Sequence, residues 1–175
     1  IKSSDALNKL TNIGGNITVT GVKKSENFVD LNFNDQIQFS GDLSIIDNLS
    51  IKNLNGLSFL HNVNILTLSE NNRLESLSGM DNLISVNAIE INQHISLESL
   101  AGLESIENAV GSIYLWGNTK LKQLTGLNNI PHVDSFNIGI YPYTGVIPPT
   151  PDLVNLTGLE GLNSVGELTL SLIHH

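Results

Sequence analysis

One four-residue motif constrains this chain more than any other feature, because it recurs at a nearly fixed interval. Leu54-Asn55-Gly56-Leu57, Leu77-Ser78-Gly79-Met80, Leu100-Ala101-Gly102-Leu103, Leu124-Thr125-Gly126-Leu127 and Leu156-Thr157-Gly158-Leu159 set their glycines 23, 23, 24 and 32 residues apart. Between motifs lie pairs of large apolar residues spaced by two: Leu43/Ile45, Leu66/Leu68, Ile89/Ile91, Ile113/Leu115 and Phe136/Ile138. Ile17/Val19 and Leu168/Leu170 extend the series in both directions. A spacing of two is the pattern of a strand with one face turned inward. Aliphatics at a spacing of three, as in Leu74, Leu77, Met80, Leu83 and Val86, aim the corners of a coil at one axis. A single such coil buries too little to offset the entropy of ordering it, so coils must stack. The expected fold is mainly β, a solenoid of about seven coils of 23–24 residues.

Five residues past five of the strand starts stand Asn48, Asn71, His94, Asn118 and Tyr141. An asparagine buried at a repeated turn can bond the backbone of its own coil and of the neighbouring one. Asn48, Asn71, His94 and Asn118 are therefore expected to form a structural turn ladder, with His94 standing in for asparagine.

The motif-bearing segments resemble a known group. Asn118-Thr119-Lys120-Leu121-Lys122-Gln123-Leu124-Thr125-Gly126-Leu127 and Leu159-Glu160-Gly161-Leu162-Asn163-Ser164-Val165-Gly166-Glu167-Leu168-Thr169-Leu170 look like the receptor L-domain branch of leucine-rich-repeat proteins. The resemblance runs from about residue 3 to 172 and implies a right-handed, parallel solenoid of extracellular receptors or microbial surface proteins. The absence of cysteine departs from animal receptor ectodomains. The chain reads as one domain over 1–175, with an N-terminal cap at about 3–16 and coils over about 17–172. Ser4 through Leu10 read as a short N-terminal capping helix with Ser4 or Asp5 as N-cap. A C-terminal cap is expected to be missing or truncated, and His174-His175 read as a tag remnant. Phe28, Leu31, Phe33, Ile37 and Phe39, between the first two strands, are expected to add strands or thicken the wall.

Composition narrows the function. Net charge is −9, from 17 acidic against 8 basic residues, which argues against nucleic acid as partner because phosphates call for clustered Lys and Arg. With no cysteine there is no disulfide, thiol nucleophile or Cys-ligated zinc. No apolar run is long enough for a membrane-spanning helix.

The outward strand positions form the candidate binding face. One ladder reads Thr18, Ser44, Thr67, Glu90, Tyr114, Asn137, Thr169; the next reads Thr20, Ile46, Ser69, Asn92, Trp116, Gly139, Ser171. Most members are small and polar, but Glu90, Asn92, Tyr114, Trp116, Asn137, Tyr141 and Tyr143 are expected to gather as a ligand-binding patch. Exposed aromatics on a rigid scaffold suit protein anchors or sugar stacking. The segment Tyr141–Pro151 holds four of the five prolines and lengthens its coil, as a stiffened recognition loop would.

Catalysis has no constellation to rest on. Carboxylates do not recur at one ladder position, no Gly-x-Ser-x-Gly elbow occurs, and His61, His94 and His132 occupy different coil positions. No catalytic residue, metal or cofactor is expected. The leading expectation is a non-catalytic recognition or adhesion module, extracellular or on a cell surface, with a protein or glycan partner. The alternatives are a structural spacer of a larger surface protein and, more distantly, a polysaccharide-active enzyme.

Overall fold

The computed structural model describes residues 9–31, 33–139 and 153–171. Nine strands follow in order: β1 Asn12–Ile13, β2 Ile17–Thr20, β3 Gln38–Phe39, β4 Leu43–Ile46, β5 Asn62–Ser69, β6 Ser85–Asn92, β7 Val110–Trp116, β8 His132–Ile138 and β9 Ser164–Leu170. β2 and β4 through β9 form one parallel seven-stranded sheet in chain order, while β1 and β3 pair separately. Sequential neighbours in a parallel sheet require the chain to travel once round between strands. The result is a β-solenoid of about five turns.

One expectation changes here and a second falls outside the described residues. Seven strand pairs implied seven coils, whereas the sheet's strands bracket about five turns. Seven strands leave six intervals, and the one between β8 and β9 runs through residues outside the described set, so counting strand pairs overcounts the turns. No α-helix occurs among the described residues. The capping helix expected over residues 4–10 falls almost wholly outside them, as do Tyr141, Tyr143 and His174-His175.

The register follows the apolar pairs. Ile17, Leu43, Leu66, Ile89, Ile113, Phe136 and Leu168 stand opposite one another strand by strand. From Leu43 to Phe136 this ladder is fully buried, and so are Leu74, Leu77, Met80 and Leu83 at the corners of their coil. One continuous aliphatic column results.

The recurring glycine has two causes. Its φ is positive in every copy, from 102° at Gly56 to 117° at Gly126, a region costly for residues with a Cβ. It also packs on the preceding coil: a Cβ on Gly79 would strike the Leu54 carbonyl, one on Gly102 the Leu77 carbonyl, and one on Gly126 the Leu100 carbonyl. The residue two places on closes the turn. Asp81, Glu104, Asn128 and Glu160 each accept the N–H of the motif glycine, at 2.8 Å for Asp81 and 2.7 Å for Glu104. This carboxylate or amide was present in the sequence as Gly-Met-Asp, Gly-Leu-Glu and Gly-Leu-Asn, and it extends the motif beyond its leucines.

The first turn is thickened as expected. Phe28, Ile37 and Phe39 are buried, β3 adds a short strand, and the Phe33 and Phe59 rings lie 4.5 Å apart, tilted by 41°.

Leu100→Ala, which empties a fully buried corner, is expected to cost roughly 2–5 kcal/mol in chemical denaturation. Thr67→Ala on the outward ladder should cost less than about 1 kcal/mol. Similar losses would mean that the inward and outward faces are misassigned. Gly102→Ala combines strain at φ 114° with a backbone clash. It should destabilise by about 3 kcal/mol or more, far above the effect of an ordinary glycine substitution.

Candidate functional site

At each turn after a strand, a buried side chain joins one coil to the next. Val22 N–H donates to Asn48 Oδ1 at 3.0 Å, and Asn48 N–H to Asn71 Oδ1 at 3.1 Å. Asn71 N–H donates to His94 Nδ1 and His94 N–H to Asn118 Oδ1, each at 3.2 Å. In the opposite direction, Asn48 Nδ2 reaches Val19 O, Asn71 Nδ2 reaches Ile45 O and Asn118 Nδ2 reaches Ile91 O. Asn48, Asn71, His94 and Asn118 are all at most 1% exposed.

His94 fits this ladder incompletely. Its Nδ1 accepts as an asparagine oxygen would, which leaves the proton on Nε2. By the ladder's geometry, Nε2 takes the place of an asparagine Nδ2 facing the Leu68 carbonyl. It makes no hydrogen bond, the one buried side-chain polar atom among the described residues without a partner. Burial pushes the pKa of His94 from 6.5 down to about 4.

The outward face carries the candidate site. Glu90, Tyr114 and Asn137 stand in register on β6, β7 and β8, and Asn92 stands opposite Trp116. Glu90, Tyr114, Trp116 and Asn137 are half-buried. Their spacing follows from strand separation, just under 5 Å, so the three ladder side chains span roughly 10 Å. Three details could not be read from spacing. Asn92 is buried, 6% exposed, and its Oδ1 accepts the Trp116 backbone N–H at 3.3 Å. Asn137 donates from Nδ2 to Ser135 Oγ. β8 ends one residue early, so Gly139 takes the left-handed turn (φ 84°), as Gly117 does after Trp116 (φ 68°), and is not the outward neighbour of Trp116.

A polar ladder borders this face. Asn16 Nδ2 and Asn64 Nδ2 donate to the two Asp42 carboxylate oxygens, and Asn87 Nδ2 donates to Asn64 Oδ1. It consumes hydrogen-bonding capacity that would otherwise face solvent.

Two further clusters were not read from the sequence. Ser164 Oγ lies 2.6 Å from His132 Nδ1, and His132 Nε2 lies 2.8 Å from Asp134 Oδ1. The line has the order of nucleophile, base and orienting carboxylate. The His132 side chain is 36% and the Asp134 side chain 74% exposed, and none of the described residues walls the line off from water. Ser164 lies 32 residues beyond His132 and meets it only because β8 pairs with β9. The second is a cleft of about 470 Å³ between the segments 35–39 and 58–62, rimmed by Asp35, His61, Asn62 and Asn82, away from the aromatic face. No group of three or more metal-ligating side chains occurs among the described residues. No helix among them is long and apolar enough to cross a membrane.

Comparison with family models, curated proteins and solved structures found no match for this chain.

His94 makes a pH prediction. Its proton affinity is lower folded than unfolded, so it contributes stability above about pH 6.5 that is lost as pH falls toward 4 and then levels off. The integrated loss is roughly 3 kcal/mol. His94→Asn restores the ladder amide and removes that component. The difference in stability between wild type and variant should therefore widen from pH 7 to pH 4 in urea titrations, and a constant difference would contradict a neutral buried imidazole.

Proposed function

We propose that this chain is a non-catalytic recognition or adhesion module that works extracellularly or at a cell surface. In this reading it is a right-handed leucine-rich-repeat solenoid of the receptor L-domain type. It binds a protein or glycan partner through the outward face of β6, β7 and β8 and through the Pro-rich segment 141–151. The observation that supports the reading most is the register of Glu90, Tyr114 and Asn137 next to Trp116. A carboxylate, a phenol and an amide then line one stiff sheet beside an indole. Such a set combines hydrogen-bond donors and acceptors with aromatic surface, as protein anchors and sugar-stacking sites require. Rigid placement also lowers the ordering cost of binding.

The spacer reading draws on a different observation. Over β2, β4 and β5 the outward ladder is only Thr18, Ser44 and Thr67, a plain polar surface with nothing to anchor a partner. The enzyme reading is left with the open Ser164–His132–Asp134 line.

A glycan panel and cell-surface extracts should be screened with wild type beside Tyr114→Ala, Trp116→Ala and Thr67→Ala, each verified as folded by circular dichroism. Retention by wild type and Thr67→Ala, with at least about a tenfold loss in the two aromatic variants, is the expected outcome. Retention equal in all four would remove the aromatic face as the site, and no retention by any would favour the spacer. Labelling of Ser164 by a fluorophosphonate, abolished in His132→Ala, would overturn the non-catalytic reading.

A further inference from the structure

The cleft between 35–39 and 58–62 has a cause in the spacing of the coils. Lys52 N–H donates to Glu26 O across 26 residues, whereas the equivalent bond one coil on, Glu75 N–H to Lys52 O, spans 23. Further along, Ser58 Oγ lies 3.5 Å from Asp35 Oδ1, again 23 residues apart. Three extra residues therefore fall between 26 and 35. A coil with surplus chain cannot lie flush on its neighbour, and the two part just beyond the surplus. Phe33 packs its ring on buried Phe59 at the start of the gap. β3 walls one side, held by its pairing with β1 and backed by buried Ile37 and Phe39. The walls are thus fixed before a ligand arrives, which lowers the ordering cost of binding.

Its volume of about 470 Å³ suits a small molecule, since such sites span roughly 300–1,000 Å³. Among the described residues the lining is mostly polar and holds no Lys or Arg. Asp35 supplies a carboxylate, His61 an imidazole, and Gln36, Gln38, Asn62 and Asn82 four amides. His61 Nδ1 lies 2.9 Å from Phe59 O. A carbonyl only accepts, so Nδ1 carries the proton and the neutral ring offers a lone pair at Nε2. Asn82 Nδ2 donates to Ser58 O at 2.8 Å, which fixes that amide and leaves its Oδ1 as an acceptor.

This lining selects by charge. A phosphate, sulfate or carboxylate would meet Asp35 with no cation to offset it. A metal ion would find one carboxylate and one imidazole, and no group of three ligating side chains occurs among the described residues. An ammonium would suit Asp35 but would face the N–H donors of the amides. A hydroxyl both donates and accepts, and adjacent hydroxyls match the paired donor and acceptor of a carboxamide or the two oxygens of a carboxylate. We infer that this cleft is a second binding site, for a neutral sugar ring with adjacent hydroxyl groups. The inference rests on the cleft alone and not on the outward face of β6, β7 and β8.

Methyl glycosides of glucose, galactose, mannose and N-acetylglucosamine, titrated into isotope-labelled protein and followed by backbone and side-chain amide shifts, test it. Glucuronate and glucosamine serve as the charged counterparts. At least one neutral sugar should give a saturable response confined to 35–39, 58–62 and Asn82. Asp35→Ala should weaken that binding about tenfold or more and Asn62→Ala several-fold, each at an exposed position. Tyr114→Ala should leave it unchanged, so that the cleft and the outward face succeed or fail separately. No saturable response to any neutral sugar, a response centred on β6 to β8, loss in Tyr114→Ala, or binding indifferent to both cleft variants would overturn the inference. Tighter binding of glucuronate or of glucosamine than of every neutral sugar would overturn it as well. If one cleft variant fails to fold, the other and the map of shifts decide.

Discussion

A turn buried inside a stack of coils has backbone N–H and C=O groups that water cannot reach, and leaving even a few unpaired would cost more than a small domain can spare. Here the turn side chain of each coil serves the coil before it, its acceptor atom taking an N–H and, in the asparagines, its Nδ2 filling a carbonyl. The arrangement works only if the coils stay in register, because a slip of one residue would bring a different atom to each partner. The strands, the aliphatic column and the close approach of the motif glycines to Leu54, Leu77 and Leu100 all rest on that register.

The outward face inherits its order from the same constraint. With the strands locked in step, a side chain's neighbours on the face are set by the repeat and not by local flexibility. Glu90, Tyr114 and Asn137 line up because Ile89, Ile113 and Phe136 line up beneath them. This makes the face a stiff array in which chemistry is introduced one residue at a time. The same pairing brings Ser164, His132 and Asp134 into one hydrogen-bonded line across β8 and β9.

Much of this was legible in the chain itself, and the limits are physical. The strands, their register and the buried turn positions could be read because each recurs, and repetition averages out local ambiguity. The glycine's place in the repeat could be read, although not its contact with the preceding coil's carbonyl, since that contact lies between residues more than twenty positions apart. Asn92 was expected among the ligand-binding residues; it is buried, and its Oδ1 holds the Trp116 backbone N–H of the neighbouring strand, a contact that spacing does not reveal. Gly139 was expected beside Trp116, yet β8 is one residue shorter and the glycine takes the turn. Both departures arise at strand ends, where one inserted or missing residue shifts a side chain from face to turn and where the repeat is least regular.

The sequence by itself determined that this protein is a mainly β stack of coils with an aliphatic axis, because periods of two and of twenty-three are properties of the chain and need no partner to be seen. Only the tertiary structure decided how many turns are complete, which outward groups remain available, and which distant residues meet across β8 and β9. Those outcomes depend on contacts between coils, and a contact between coils exists only once the backbone has closed each turn and brought remote residues within hydrogen-bond reach.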